Sequence, residues 1–106
     1  MTTTVVEMVT YNLKSGVNKA DFASTHDKVN EWLKQQEGFL YRSVSEDEYG
    51  LLHDLAYWQD MPTAKAAGDA FMQSDEGQSL CGLIDMESCH MRHMEVQTEA
   101  MICEGA

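Results

Sequence analysis

A histidine and an aspartate are the side chains of this sequence best suited to acid–base chemistry. His26 interrupts the apolar stripe of a predicted helix and so points toward the predicted sheet. Asp54 lies on a predicted strand, where a partner is needed to offset the cost of covering a carboxylate. A hydrogen bond between the two would orient the imidazole and raise its pKa, as a general base requires. We therefore predict His26 and Asp54 as the catalytic residues; the alternative is that His26 is an ordinary core residue.

Three aromatic side chains are predicted to bind a planar ligand beside this pair. Trp58 follows Asp54 by four residues and shares its strand face, while Tyr11 and Tyr57 lie on predicted strands nearby. Aromatic walls suit an aromatic or hydrophobic metabolite, although the same residues also dominate small protein cores. Trp58, Tyr11 and Tyr57 are the predicted ligand-binding residues, and their alternative role is core packing.

The run from Cys89 to Met94 contains soft metal ligands, but its spacing favours a packed strand. Strand alternation places Cys89, Met91 and His93 on one face and His90, Arg92 and Met94 on the other. A Cu(I) site is chemically possible with the first set, whereas methionines on a central strand commonly fill gaps in a core. We predict no metal and no cofactor.

The order of the periodicities predicts the elements that must position these residues. Alternating runs at residues 4–13, 39–48, 51–59 and 86–97 predict four strands. A long amphipathic helix precedes Gly38, and a second helical stretch, in two pieces, follows Asp60. The order strand-helix-strand-strand-helix-strand predicts an α+β, ferredoxin-like (split β-α-β) fold, a four-stranded antiparallel sheet with its helices on one face.

Length and charge narrow the functional classes. A chain of 106 residues is expected to form a single domain, 1–106, with residues 98–106 as a C-terminal extension. The net charge of −11 argues against nucleic acid and against an anionic membrane surface as partners. Three cysteines without paired spacing and the absence of a visible secretory signal favour a cytoplasmic protein.

Four short segments carry a resemblance to a known group of proteins. They are Leu13-Lys14-Ser15-Gly16, Glu37-Gly38-Phe39, Trp58-Gln59-Asp60-Met61 and Ala70-Phe71-Met72-Gln73-Ser74. Together they resemble the antibiotic-biosynthesis-monooxygenase-like (ABM-like) group of dimeric α/β barrels, in which two ferredoxin-like sheets pair face to face. The resemblance implies a homodimer in which the C-terminal segment crosses to the partner.

The same resemblance bears on activity through individual positions. Cofactor-free oxygenases of the group place an Asn and a Trp four residues apart on the third strand, where this chain has Asp54 and Trp58, and no counterpart of their later Tyr and Arg follows. The residues of haem-degrading members would fall near Val9, Phe71 and Cys81, which cannot perform those roles. We therefore expect a small-molecule-binding dimer without an assignable reaction; the alternative is a cofactor-independent monooxygenase or isomerase acting on a small aromatic or hydrophobic metabolite.

Overall fold

The computed structural model describes residues 3–101, which form four strands and four helices. In chain order these are β1 (Val5–Leu13), α1 (Lys19–Ala23), α2 (His26–Lys34), β2 (Phe39–Glu46), β3 (Leu52–Trp58), α3 (Met61–Gln73), α4 (Asp75–Cys81) and β4 (Ile84–Glu95). The predicted order of elements is confirmed.

The four strands form one antiparallel sheet in the order β2-β3-β1-β4. This is the predicted ferredoxin-like topology, with the first and third strands in the centre. The helices pack on one face, and the core between the two layers is centred on Val5, Tyr11, Val29, Trp58 and Ala64.

Polar side chains define where the helices begin. Asn18 accepts a hydrogen bond from the Asp21 backbone N–H, Asp60 from that of Thr63, and Ser74 from that of Gly77. Each bond satisfies a backbone donor that has no partner within the first turn. The predicted division of the second crossover into two helical pieces is confirmed.

The first crossover differs from the prediction, because its helix is broken between α1 and α2. Ser24 and Thr25 donate their hydroxyl groups to the backbone carbonyls of Asp21 and Phe22. Such bonds to the preceding turn compete with the helical pattern and end it locally. The apolar stripe nevertheless continues through the break, since Phe22, Val29 and Leu33 are all buried.

The β2–β3 hairpin closes through a loop of three residues, 48–50. The backbone N–H of Asp47 donates to the Leu51 carbonyl, and Gly50 has a φ of 83°. This left-handed conformation favours glycine and is typical of three-residue hairpin loops. The loop length sets the register that pairs Arg42 with Ala56 and Val44 with Asp54.

The sheet face opposite the helices carries an apolar surface, which we call the open face. Its side chains alternate with the core residues along the strands, and several of the large ones are exposed or half-buried. The apolar side chains of the open face are Val6, which is buried, and Met8, Tyr41, Leu55, Tyr57 and Met94.

Within residues 3–101, no helix combines the length and the apolar character needed to cross a membrane.

Of the predicted C-terminal extension, residues 98–101 have no regular structure and Met101 is exposed. Residues 102–106 lie outside the described part of the chain.

Candidate functional site

A cavity of about 480 Å³ lies between the covered face of the sheet and helices α2, α3 and α4. This volume is within the range of small-molecule sites, which are mostly apolar with a few placed polar groups. Its apolar wall includes Val9, Trp32, Leu33, Ala56, Trp58, Ala67, Phe71, Leu80, Ile84, Met86 and Met91. Six charged or titratable side chains also line the cavity. Each of the four strands contributes one, and α3 contributes two. They are Glu7, Arg42, Asp54, His93, Lys65 and Asp69.

The first polar group in the cavity is an ion pair between Arg42 and Asp54. The guanidinium donates from Nε to Oδ1 at 3.0 Å and from Nη2 to Oδ2 at 2.8 Å, a bidentate arrangement. Nη1 donates to the Asn30 side chain, and the Tyr11 hydroxyl donates to Asp54 Oδ2 at 2.8 Å. The side chains of Arg42 and Asp54 are only 5% and 13% exposed. These partners offset the cost of burying the carboxylate.

Tyr11 serves this ion pair as a neutral donor. Burial, followed by the charge of Asp54, raises the pKa of the Tyr11 hydroxyl well above its ordinary value. The phenol therefore keeps its proton and holds the Asp54 carboxylate in place.

The second polar group is a carboxylate–imidazole pair between Glu7 and His93. Glu7 Oε2 and His93 Nε2 lie 2.8 Å apart across β1 and β4, and their side chains are 15% and 22% exposed. Burial raises the pKa of Glu7, and the charge of Asp54 acts in the same direction, while His93 opposes them. A largely buried carboxyl with a raised pKa next to an imidazole is suited to proton transfer.

The strand register aligns the two polar groups in one row across the sheet. Arg42 is paired with Ala56, Ala56 with Glu7, and Glu7 with His93. Since neighbouring strands are about 4.8 Å apart, the backbones of Arg42 and Glu7 are separated by about 10 Å. Ala56 fills little of the space between them. The row therefore places the Arg42 cation and the Glu7 carboxylate on either side of an apolar gap.

Helix α3 leaves this gap uncrowded from above. Ala67 and Gly68 line the cavity, and a Cβ added to Gly68 would meet only Glu7 Oε2, at 3.9 Å. The small residues of this helix therefore form part of the cavity wall.

The two tryptophans of the chain both line the cavity. Trp32 packs against Phe71, and Trp58 packs edge-on against Phe39. The Trp58 Nε1 atom is buried and has no hydrogen-bond partner among the described residues. Tryptophan fluorescence is consequently a direct probe of what enters this space.

The structure separates the predicted site residues into two groups. Asp54 and Trp58 both line the cavity, whereas His26, Tyr11 and Tyr57 do not. Tyr11 lies beneath Asp54 in the core, and Tyr57 lies on the open face beside Tyr41.

The predicted hydrogen bond between His26 and Asp54 is wrong. Asp54 is already engaged by Arg42 and Tyr11, and His26 Nδ1 is buried without a partner in the part of the chain that the structure describes. The imidazole instead packs edge-on against Phe22. Burial lowers the pKa of His26, so its environment differs from that of the general base expected from the sequence.

Thiol chemistry has little support in this cavity, although Cys81 and Cys89 both line it. Burial raises the pKa of each thiol, which disfavours the reactive thiolate. Among residues 3–101, no three histidine, cysteine or acidic side chains are grouped as metal ligands.

The similarity of this chain to known proteins lies in its fold. No protein-family model and no curated protein matches the chain. A form of SnoaB, a cofactor-independent oxygenase from Streptomyces nogalater, is similar with a TM-score of 0.71 and 13% identity, covering 91% of this chain and 95% of that one. A candidate antibiotic biosynthesis monooxygenase from Caulobacter crescentus CB15 is similar with a TM-score of 0.70 and 10% identity, covering 92% of each chain.

This chain has the ABM-like fold. A protein of unknown function from Nitrosomonas europaea shares it as well, with a TM-score of 0.71, 11% identity and coverage of 95% of this chain and 96% of that one. The resemblance drawn from the sequence is thus confirmed at the level of fold. Structures of proteins with and without a known function share this fold, so the activity of this chain must be argued from its own cavity.

Proposed function

We propose that this protein is a homodimer that binds a small, planar, mainly hydrophobic molecule in the cavity between its sheet and helices. The observation that carries the proposal is the cavity itself, an apolar space of about 480 Å³ bordered by two separate, largely buried polar pairs. Such a combination of apolar walls and a few fixed polar groups is typical of ligand sites.

The N–H groups of Arg42 favour a ligand that carries an oxygen atom. Its guanidinium has five N–H groups, and three of them are used by Asp54 and Asn30. The other two have no partner among the described residues. A carbonyl, phenolate or carboxylate oxygen would accept from them, while the aromatic body of the ligand lies over Ala56.

The binding proposal predicts that 2-naphthol quenches tryptophan fluorescence and that Gly68→Leu prevents this. Leucine at position 68 would enter the cavity beside the Glu7 carboxylate and occupy part of its space. Because leucine is a better helix former than glycine by about 0.5–1 kcal/mol, the variant should remain folded. Fluorescence titration measures the dissociation constant, which we expect to rise at least about 10-fold, the equivalent of 1.4 kcal/mol.

Ala66→Leu is the matched control for this experiment. Ala66 is exposed on the same helix and does not line the cavity, so its replacement should leave the affinity unchanged. If the Gly68→Leu variant binds 2-naphthol as tightly as the original protein, the ligand lies elsewhere and the proposal is contradicted. An absence of quenching in the original protein would also contradict it.

The homodimer follows from the open face. Covering both faces of the sheet would require a helical layer on each, and the helices within residues 3–101 lie on one face. A second copy related by a two-fold axis would cover the apolar side chains of the open face with the same surface. In this arrangement the extension 98–106 crosses to the partner, which stays a prediction.

The second candidate is a cofactor-independent monooxygenase or isomerase acting on such a ligand. It is favoured by the location of Asp54 and Trp58, which lie four residues apart on β3 and both line the cavity. The similarity in fold to an oxygenase that needs no cofactor supports the same reading.

A further inference from the structure

We propose that Glu7 and His93 form a proton-transfer pair whose substrates are planar carbon acids, with Arg42 holding the oxygen on which negative charge develops. The inference rests on the proposed binding of a planar molecule in this cavity. It assigns to Glu7 the role of base that the sequence suggested for His26.

The geometry divides the roles between the two carboxylate oxygens of Glu7. Oε2 is engaged by His93, whereas Oε1 has no hydrogen-bond partner among residues 3–101. His93 therefore fixes the orientation of the carboxylate and leaves one oxygen to accept a proton. His93 is a positioning residue in this scheme, and Glu7 is the catalytic residue.

Arg42 lies on the opposite side of the gap, in the same row of the sheet. A flat molecule over Ala56 would present an acidic C–H bond to Glu7 and an oxygen to the two available N–H groups of Arg42. When Glu7 removes the proton, the electron pair of the C–H bond moves toward that oxygen, where a fixed cation stabilises it. Return of the proton to a different atom gives an isomer, with no oxidant or reductant required.

The surroundings of Glu7 make its carboxylate a more effective base. Burial weakens the hydration of its carboxylate, and an incompletely solvated base is more effective on a carbon acid. The charged or titratable groups facing it are His93 from β4, Asp54 from β3, Arg42 from β2, and Lys65 and Asp69 from α3.

The test uses 5-nitrobenzisoxazole, a planar aromatic carbon acid. A base removes its ring C–H proton, the electron pair forms the nitrile, the N–O bond breaks, and the leaving oxygen becomes a coloured phenolate. We expect the protein to accelerate this elimination about 100-fold over an equal concentration of acetate, a usual contribution of a placed base. Glu7→Gln should remove most of that acceleration, and Glu95→Gln, an exposed glutamate outside the cavity, should not.

The pH profile tests the positioning role of His93. The rate should rise with pH as Glu7 ionises, with a midpoint above the ordinary glutamate value because its pKa is raised. Since His93 opposes that rise, His93→Gln should move the midpoint further upward. A purely structural role would lower the rate without moving the midpoint.

Binding and turnover are measured on the same samples and separate the possible failures. Quenching of tryptophan fluorescence by the probe, together with turnover that depends on Glu7, would support the pair. Quenching without turnover above acetate, or turnover unchanged in Glu7→Gln, would overturn the proton-transfer role and leave the binding site. Absence of both would overturn the proposed function as well.

Discussion

Replacing Arg42 with methionine is expected to lower the free energy of unfolding by about 3–5 kcal/mol. The substitution keeps the length and apolar stem of the side chain but leaves the buried Asp54 carboxylate without its cation. Tyr11 would still donate to Asp54, and one neutral hydrogen bond does not replace a bidentate ion pair. Urea denaturation followed by far-ultraviolet circular dichroism measures the change.

An exposed ion pair supplies the control for this measurement. Lys34 and Glu31 form a pair on α2 whose side chains are 63% and 69% exposed. Lys34→Met should therefore cost less than about 1 kcal/mol. In addition, the double variant Arg42→Met with Asp54→Leu should be more stable than the sum of the single changes implies. Strict additivity of the two changes would contradict the described ion pair.

Replacing Leu55 with glutamate is expected to weaken dimerisation at least about 100-fold, the equivalent of 2.8 kcal/mol. Leu55 is paired with Met8 on one side and Ser43 on the other, which places it in the middle of the open face. Two-fold symmetry would bring the new carboxylates of both subunits into the same apolar contact, where each lacks a partner. Sedimentation velocity across a range of protein concentrations measures the dissociation constant.

Tyr49→Glu tests whether added charge alone causes such an effect. Tyr49 is 86% exposed at the hairpin end, away from the open face, so this variant should dimerise like the original protein. A stable monomer at micromolar concentration before any substitution, or a Leu55→Glu variant with unchanged affinity, would refute the proposed interface.

The sequence predicted the architecture because its signals are local. Capping side chains such as Asn18, Asp60 and Ser74 act within one turn, and strand alternation is visible without knowledge of partners. The break between α1 and α2 was missed because serine and threonine hydroxyls can bond either to water or to the preceding turn.

Arg42 was missed as a site residue for a reason of register. A hairpin closed by the two residues Tyr49 and Gly50 would pair Arg42 with Tyr57 and turn it toward the open face. The actual loop has one residue more, and a shift of one position moves every side chain to the other face. Only the conformation of the loop decides between the two registers.

The Glu7–His93 pair was missed because it joins strands that are distant in the sequence. Glu7 and His93 each fall within a predicted strand. Their pairing, however, depends on the β1–β4 register, which contains an irregularity between Thr10 and Asn12. Partners 86 positions apart cannot be matched by local patterns. A glutamate alternating with valines on the covered face of β1 was the available signal, since a carboxylate there requires a partner.

A crystal structure with 6-bromo-2-naphthol decides whether the cavity between the sheet and the helices is the ligand site. Anomalous scattering from bromine locates the molecule without ambiguity. We predict a bromine peak inside the cavity, with the naphthol ring over Ala56 and its oxygen within hydrogen-bond distance of Arg42. A ligand bound only on the open face or at the molecular surface, with the cavity unchanged, would contradict the proposed binding site.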